Sequence, residues 1–244
     1  MKKHDEKLNT NTKSAPNCKD NQQATQKVDD EQFLNDFKVR KIFAYPFFKR
    51  AFDIVASLLA IIILAIPMLF VVIAIKIDSK GHAFYASERV GKGGKIFKLY
   101  KFRSMEEHAD EKLDELLKEH KQEWEVNFKL KDDPRITKVG KFLRKTSIDE
   151  LPQLINILKG DMSFVGPRPC SPREMYTYSQ KEMLRLSVPQ GLTGEWQTHG
   201  RSNTTIEQRI DMDLDYIQHK RGFFYDLYLI FKTIGVAFSQ EGAE

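Results

Sequence analysis

The sequence predicts an α+β fold, mainly helical, that sits on a membrane, and three observations carry that expectation. Ile54 to Ile75 is an apolar run without a charged side chain, with Ser57 its one polar residue. Residues 82–104 read as short extended pieces around a glycine cluster. From Lys138 onward, short amphipathic helical patterns alternate with proline and glycine breaks.

Taken in order, residues 1–41 are rich in Lys, Asp, Asn, Gln and Thr and poor in large apolar groups. Such a segment buries too little surface to offset its chain entropy, so a disordered polar tail is expected over 1–47. The apolar run has the roughly 20 residues that a helix needs to cross a bilayer core about 30 Å thick. A single span is therefore one reading. Two features favour a helix that enters, bends and returns to the same leaflet, placing a re-entrant hairpin over residues 48–80. Pro67 lies inside the run, where it removes a backbone hydrogen bond and frees the carbonyl of Ile63, with Ser57 too distant to satisfy it. Basic residues flank both ends, Lys38, Arg40, Lys41, Lys49 and Arg50 before and Lys76 and Lys80 after, whereas a span leaves its outer end less basic.

Residues 81–240 then form the main domain. His82 to Tyr85 and Ile96 to Tyr100 are expected to pair as a hairpin, with Gly91-Lys92-Gly93-Gly94 as a plain turn because no Lys-Ser/Thr ending of a P-loop follows it. Glu106 to Phe128 reads as a solvated amphipathic helix, and Lys138 to Lys145 as a basic one. Pro152 to Leu158 is a short helix that stops at Gly160. Gly166-Pro167-Arg168-Pro169 and Ser171-Pro172 mark a rigid loop, and Ile206 to Lys220 is helical. Phe223 to Phe238 is either a core helix or one lying in the membrane interface.

The net charge of +5 is compatible with anionic lipid, nucleic acid or phosphorylated substrates. No base-stacking motif or DNA-binding helix pair supports nucleic acid. Cys18 and Cys170 offer neither a disulfide framework nor metal-ligand spacing, which suits a reducing compartment, and no cleavable secretory signal is visible.

The chemistry centres on Ser147-Ile148-Asp149-Glu150-Leu151-Pro152. Ser-x-x-Glu before an apolar stretch is a capping box, which is the structural reading. Pro152, however, suits the first helical position, which puts both acids just ahead of the helix, where its dipole favours ionised carboxylates. Adjacent carboxylates with Arg144, Lys145 and Arg168 nearby suit phosphoryl transfer: one acid attacks phosphorus, a divalent ion screens the diphosphate, and guanidinium groups bind the remaining oxygens.

Six blocks appear in order: Lys49-Arg50-x-Phe52-Asp53; Glu88-Arg89-x-Gly91; Lys98 to Met105; Leu143 to Leu154; Leu158 to Pro169; and Gly191-Leu192-Thr193-Gly194 with Gly200-Arg201-Ser202. Together they resemble the bacterial sugar transferase family, the monotopic polyprenyl-phosphate phosphoglycosyl transferases, from Phe48 to Phe238. The resemblance implies a catalytic domain on the cytoplasmic face of the bacterial cytoplasmic membrane. It further implies transfer of a sugar-1-phosphate from a UDP-sugar to undecaprenyl phosphate, with release of UMP, to start exopolysaccharide, capsule or other glycoconjugate assembly. Asp149 matches the family's nucleophile and Glu150 its partner. Mg2+ is the implied cofactor, with Asp149 among its oxygen ligands. Arg144, Arg168 and Lys101 match phosphate-handling positions, and Arg103 and Arg201, in the matching blocks, join them as candidate substrate-binding residues. Pro67 matches the bend of the membrane helix, although Ile66 stands where the family has serine. The stretch Glu195 to Asn203 is closer to members that transfer glucose or galactose than to those handling acetamido sugars. Trp196 is a candidate for stacking on sugar or base, or for the core, and Cys170 is expected to be a spacer. A second class, a membrane-anchored adaptor with a basic face, explains the charge and the apolar run but not the order of acids and arginines.

Overall fold

A computed structural model of the chain describes residues 32–107, 109, 133–199 and 204–239. It divides into two compact units, residues 1–37 and Lys38–Glu244. In the first, the described part is a helical turn at residues 32–36. The tail through residue 31, most of the helix expected over 106–128 and the segment 200–203 lie outside the described residues.

The second unit opens with the long helix α1 (Tyr45–Asp78), continuous with Pro67 inside it. Its packing follows one stripe. Tyr45, Lys49, Asp53 and Ser57 are buried, Ala60, Ile61 and Leu64 pack on the Phe97–Leu99–Leu154–Ile157 cluster, and Met68, Val71, Val72 and Ile75 pack around Ala83, Phe102 and Leu143. Steps of three and four keep these residues on one face. The other face leaves Ile54, Leu58, Ile62, Ile66, Leu69, Phe70 and Ile73 exposed. The Lys49-Arg50-x-Phe52-Asp53 motif is the polar seam that docks this helix. Lys49 Nζ meets Asp226 at 2.5 Å, Arg50 donates to the carbonyls of Ile157 and Leu158, and Asp53 accepts from Ser163 Oγ and the Phe164 amide. Ser57 spends its hydroxyl on the Asp53 and Ile54 carbonyls of its own helix.

Strands β1 (Phe84–Val90) and β2 (Ile96–Phe102) form the expected antiparallel hairpin, with Phe84 opposite Phe102 and Val90 opposite Ile96. Gly93 and Gly94 take positive φ in the turn between them, which their missing Cβ permits. Helix α2 (Lys138–Lys145) follows. Its first-turn amides are satisfied by Thr137 Oγ1 and by Asp78 Oδ2 from the end of α1. A Cβ on Gly140 would lie 2.0 Å from the Ser104 carbonyl oxygen, so glycine is what lets α2 press against the chain leaving β2.

A 3₁₀ turn (Ile148–Glu150) leads into α3 (Gln153–Lys159), which ends at Gly160 with φ +92°. Then come β3 (Ser163–Val165), α4 (Pro172–Met175) and α5 (Gln180–Met183), both with capping boxes, and β4 (Gly191–Thr193), which pairs in parallel with β3. Helices α6 (Glu195–His199), α7 (Ile206–Asp215) and α8 (Phe223–Ser239) close the fold. The sequence left α8 as a core helix or one in the membrane interface, and the structure gives it one buried face and one exposed apolar face. Asp226 and Leu229 are buried, while Phe224, Tyr228, Phe231 and Ile234 are exposed.

Candidate active site

The two acids sit on the 3₁₀ turn between α2 and α3, and what shapes that turn is not a capping box. Ser147 has φ +57°, a left-handed conformation that costs a non-glycine residue on the order of 1 kcal/mol, and its side chain caps nothing. The Glu150 side chain, which a capping box would turn back to the Ser147 amide, instead meets two cations. Lys101 Nζ donates to Glu150 Oε1 at 3.0 Å and Arg168 Nη2 donates to the same oxygen at 2.9 Å. Pro152, expected at the first helical position, stands one place earlier as N-cap of α3, and both carboxylates lie just ahead of the helix as the sequence predicts.

Asp149 is the more buried of the pair, and among the described residues its ion-pair partner is Lys101 alone, at 3.5 Å. Burial pushes its carboxyl up, against the pull of Lys101, and the negative charge of Glu150 pushes the same way. Burial also acts to raise Glu150. There Arg168 and Lys101 outweigh it and hold the carboxylate well below the usual range. Two neighbouring acids thus have unlike environments: Glu150 is locked as an anion by two cations, and Asp149 keeps an oxygen that is only loosely engaged.

Each cation is held by a different element. Lys101 lies on β2, and its distance from the dyad is set by Asn156. This fully buried side chain on α3 accepts from the Tyr100 amide at 3.0 Å and donates to the Lys98 carbonyl at 2.7 Å, as a neighbouring strand would. Arg144, one turn after Gly140 on α2, donates Nε to Ser104 Oγ at 2.9 Å, and its charge acts on Asp149. Arg168 rides on the proline-rich loop. That loop is tied to β1 by the Val90 amide on the Cys170 carbonyl, and Arg185 Nη2 reaches the Arg168 carbonyl at 3.5 Å. The structure therefore brings Asp149, Glu150, Lys101, Arg144 and Arg168 together. Arg103 is placed differently: it is buried, and Nη2 donates to Ser79 at the end of α1. Arg201 lies outside the described residues. Sequence reasoning missed Asn156, Arg185 and Asp213, because each acts through a partner distant in the chain.

Paired carboxylates ringed by guanidinium and ammonium groups form a cluster whose cations suit phosphate oxygens, and it lies in the same domain as a helix with a bare apolar face. The chain belongs to the bacterial sugar transferase family, whose family model it matches over residues 44–240. It is 46% identical over 198 residues to an uncharacterized sugar transferase of Haemophilus influenzae, covering 80% of this chain and 42% of that protein. It is 44% identical over 200 residues to the undecaprenyl-phosphate galactose phosphotransferase of Salmonella typhimurium, covering 81% of this chain and 42% of the relative. With the exopolysaccharide production protein ExoY of Sinorhizobium fredii the identity is 42% over 189 residues, covering 76% of this chain and 83% of ExoY. The chain thus spans about two-fifths of the length of the first two relatives and most of the third.

Proposed function

We propose that this chain transfers a hexose-1-phosphate, galactose or glucose, from a UDP-sugar to undecaprenyl phosphate at the cytoplasmic face of the bacterial membrane. The observation that carries the reading is the asymmetry of the dyad. Glu150 is committed to Lys101 and Arg168, whereas Asp149 has an oxygen free to attack. In this mechanism an Asp149 oxygen bonds to the sugar-linked phosphorus, the bond to the bridging oxygen breaks, and UMP leaves with the electron pair. An oxygen of the lipid phosphate then attacks the same phosphorus and expels the Asp149 carboxylate. Arg144, Arg168 and Lys101 bind the non-bridging oxygens as charge shifts among them. Glu150 holds Lys101 and Arg168 in place while they do so.

The donor set fits Mg2+, which takes one or two carboxylates and substrate phosphates in place of an all-protein cage; Asp149 would hold it, and it would screen the diphosphate. The name of the Salmonella relative supports a hexose donor.

The packing of α1 supports a helix that stays in one leaflet. From Lys49 to Ile75 one face rests on the polar-surfaced domain, so a crossing would drag that domain into hydrocarbon. Both ends are held by the same body, through Lys49 and Arg50 at one and Ser79 and Asp78 at the other. The exposed face of α1, with Phe224 and Phe231 of α8, meets the acyl chains. Radiolabelled UDP-galactose, UDP-glucose and their acetamido counterparts, given with membranes and undecaprenyl phosphate, test the substrate. Label should enter lipid from a hexose donor, and entry from an acetamido donor alone would refute the sugar assignment.

A further inference from the structure

Helix α7 carries Asp213 and, one turn earlier, Arg209, so the two share a face. Asp213 is buried and grips Arg185, with Nε at 2.9 Å and Nη2 at 2.8 Å from Oδ2. Arg185 in turn donates to the Tyr178 hydroxyl and reaches the carbonyl of Arg168. This chain of contacts docks that face of α7 against the loop that presents Arg168 to the dyad, and the charge of Arg168 acts on Arg209, one turn from Asp213 on the same face. Its guanidinium carbon lies over the Trp196 ring at 4.8 Å, and its Nε donates to Thr204 Oγ1 at 3.1 Å. Stacking and the Nε bond together fix the plane of the group. One face of the indole is thereby taken by Arg209.

Two guanidinium groups near each other repel. Burial, and then the field of Arg168, disfavour the charged form of Arg209. An anion that touches both relieves that repulsion, and the anion this site receives twice in each turnover is a phosphate. The position of α7 distinguishes the two sources. The apolar helix α1 packs on α2, α3 and β2, the part of the domain that carries Lys101, so a bilayer-anchored phosphate arrives there. Helix α7 packs on α6 and on the turn at Leu184–Ser187, the part that supports Arg168.

We propose that Arg209, held flat against Trp196, is a second guanidinium beside Arg168 and binds the phosphate of the nucleotide half of the donor. The inference rests on the UDP-sugar reading above. It is tested by calorimetric titration of the full-length enzyme in lipid nanodiscs with UMP, together with KM for the UDP-sugar and for undecaprenyl phosphate. Arg209→Met keeps the stem over the indole and removes the charge. It should weaken UMP binding and raise the donor KM by about tenfold, leaving the KM for the lipid phosphate near that of the wild type, which also reports an intact fold. Arg209→Lys keeps the charge without the planar stack and should recover part of the loss. An Arg209→Met enzyme that binds UMP within about threefold of the wild type would overturn the proposal, as would a rise confined to the lipid-phosphate KM. Wild-type enzyme that binds no UMP would instead sink the donor reading, a distinguishable result.

Discussion

Among the described residues, the Asp226 cluster and the Asp149–Glu150 dyad differ in how completely their carboxylates are paired. At the base of α1, Asp226 accepts from Tyr45 and Lys49 on one oxygen and from Tyr216 on the other, all at 2.5–2.7 Å. Both oxygens are engaged, and the cluster joins α1, the turn after α7, and α8. At the dyad, two like charges are adjacent in the chain, one is locked and the other is held only at 3.5 Å. Buried acids are normally satisfied because an unpaired one costs several kcal/mol. A dyad that keeps one acid short of partners is what the proposed reaction requires.

The comparison is broken most strongly by exchanging one acid in each cluster. Asp149→Asn removes the proposed nucleophile and should lower turnover by at least about 10³-fold, while thermal unfolding stays near that of the wild type because few contacts are lost. Asp226→Ala should do the reverse. It strands the buried Lys49 ammonium and should cost about 3–5 kcal/mol of stability, read by chemical unfolding, with catalysis by the folded fraction largely kept. If Asp149→Asn proved the more destabilising of the two, the division between a structural and a reactive cluster would fail. Arg168→Lys keeps the charge but loses the planar fork that the proposal has holding Glu150 and phosphate together, and turnover should fall by about tenfold, or about 1.4 kcal/mol. Near-normal rates would assign Arg168 to the loop alone. The smallest effect is expected at Cys170. It is buried against Val90 and Leu186, and burial pushes its thiol up and away from the reactive thiolate. Cys170→Ala should leave turnover within about twofold, because a buried thiol behaves as a small apolar group.

Much of the site was legible because it is local. Pro152 positions the acids ahead of α3, and aromatic residues around a glycine turn identify the hairpin that carries Lys101. The competing capping box was a sound local reading. It lost to a left-handed Ser147 and to two cations that a four-residue window does not contain. What remained hidden depends on long-range pairs. Asn156 reaches β2 across 58 residues, and Arg185 meets Asp213 across 28. Such partners look like ordinary polar residues until the chain is folded. The placement of Arg103 also depends on a long-range partner. The residue stands just past the end of β2, two residues after Lys101, yet it donates to Ser79 at the end of α1.

The central claim is that Asp149 forms a covalent bond to phosphorus. Wild-type enzyme in nanodiscs, given UDP-hexose labelled in the phosphate that carries the sugar and no lipid acceptor, should release UMP in an amount comparable to enzyme. It should retain the label on a peptide containing Asp149, and hydroxylamine, which cleaves acyl phosphates and spares phosphoserine, should remove it. Adding undecaprenyl phosphate should transfer the label to lipid. Normal turnover with no retained label, or label on any other residue, would contradict the account and favour direct transfer between the two substrates.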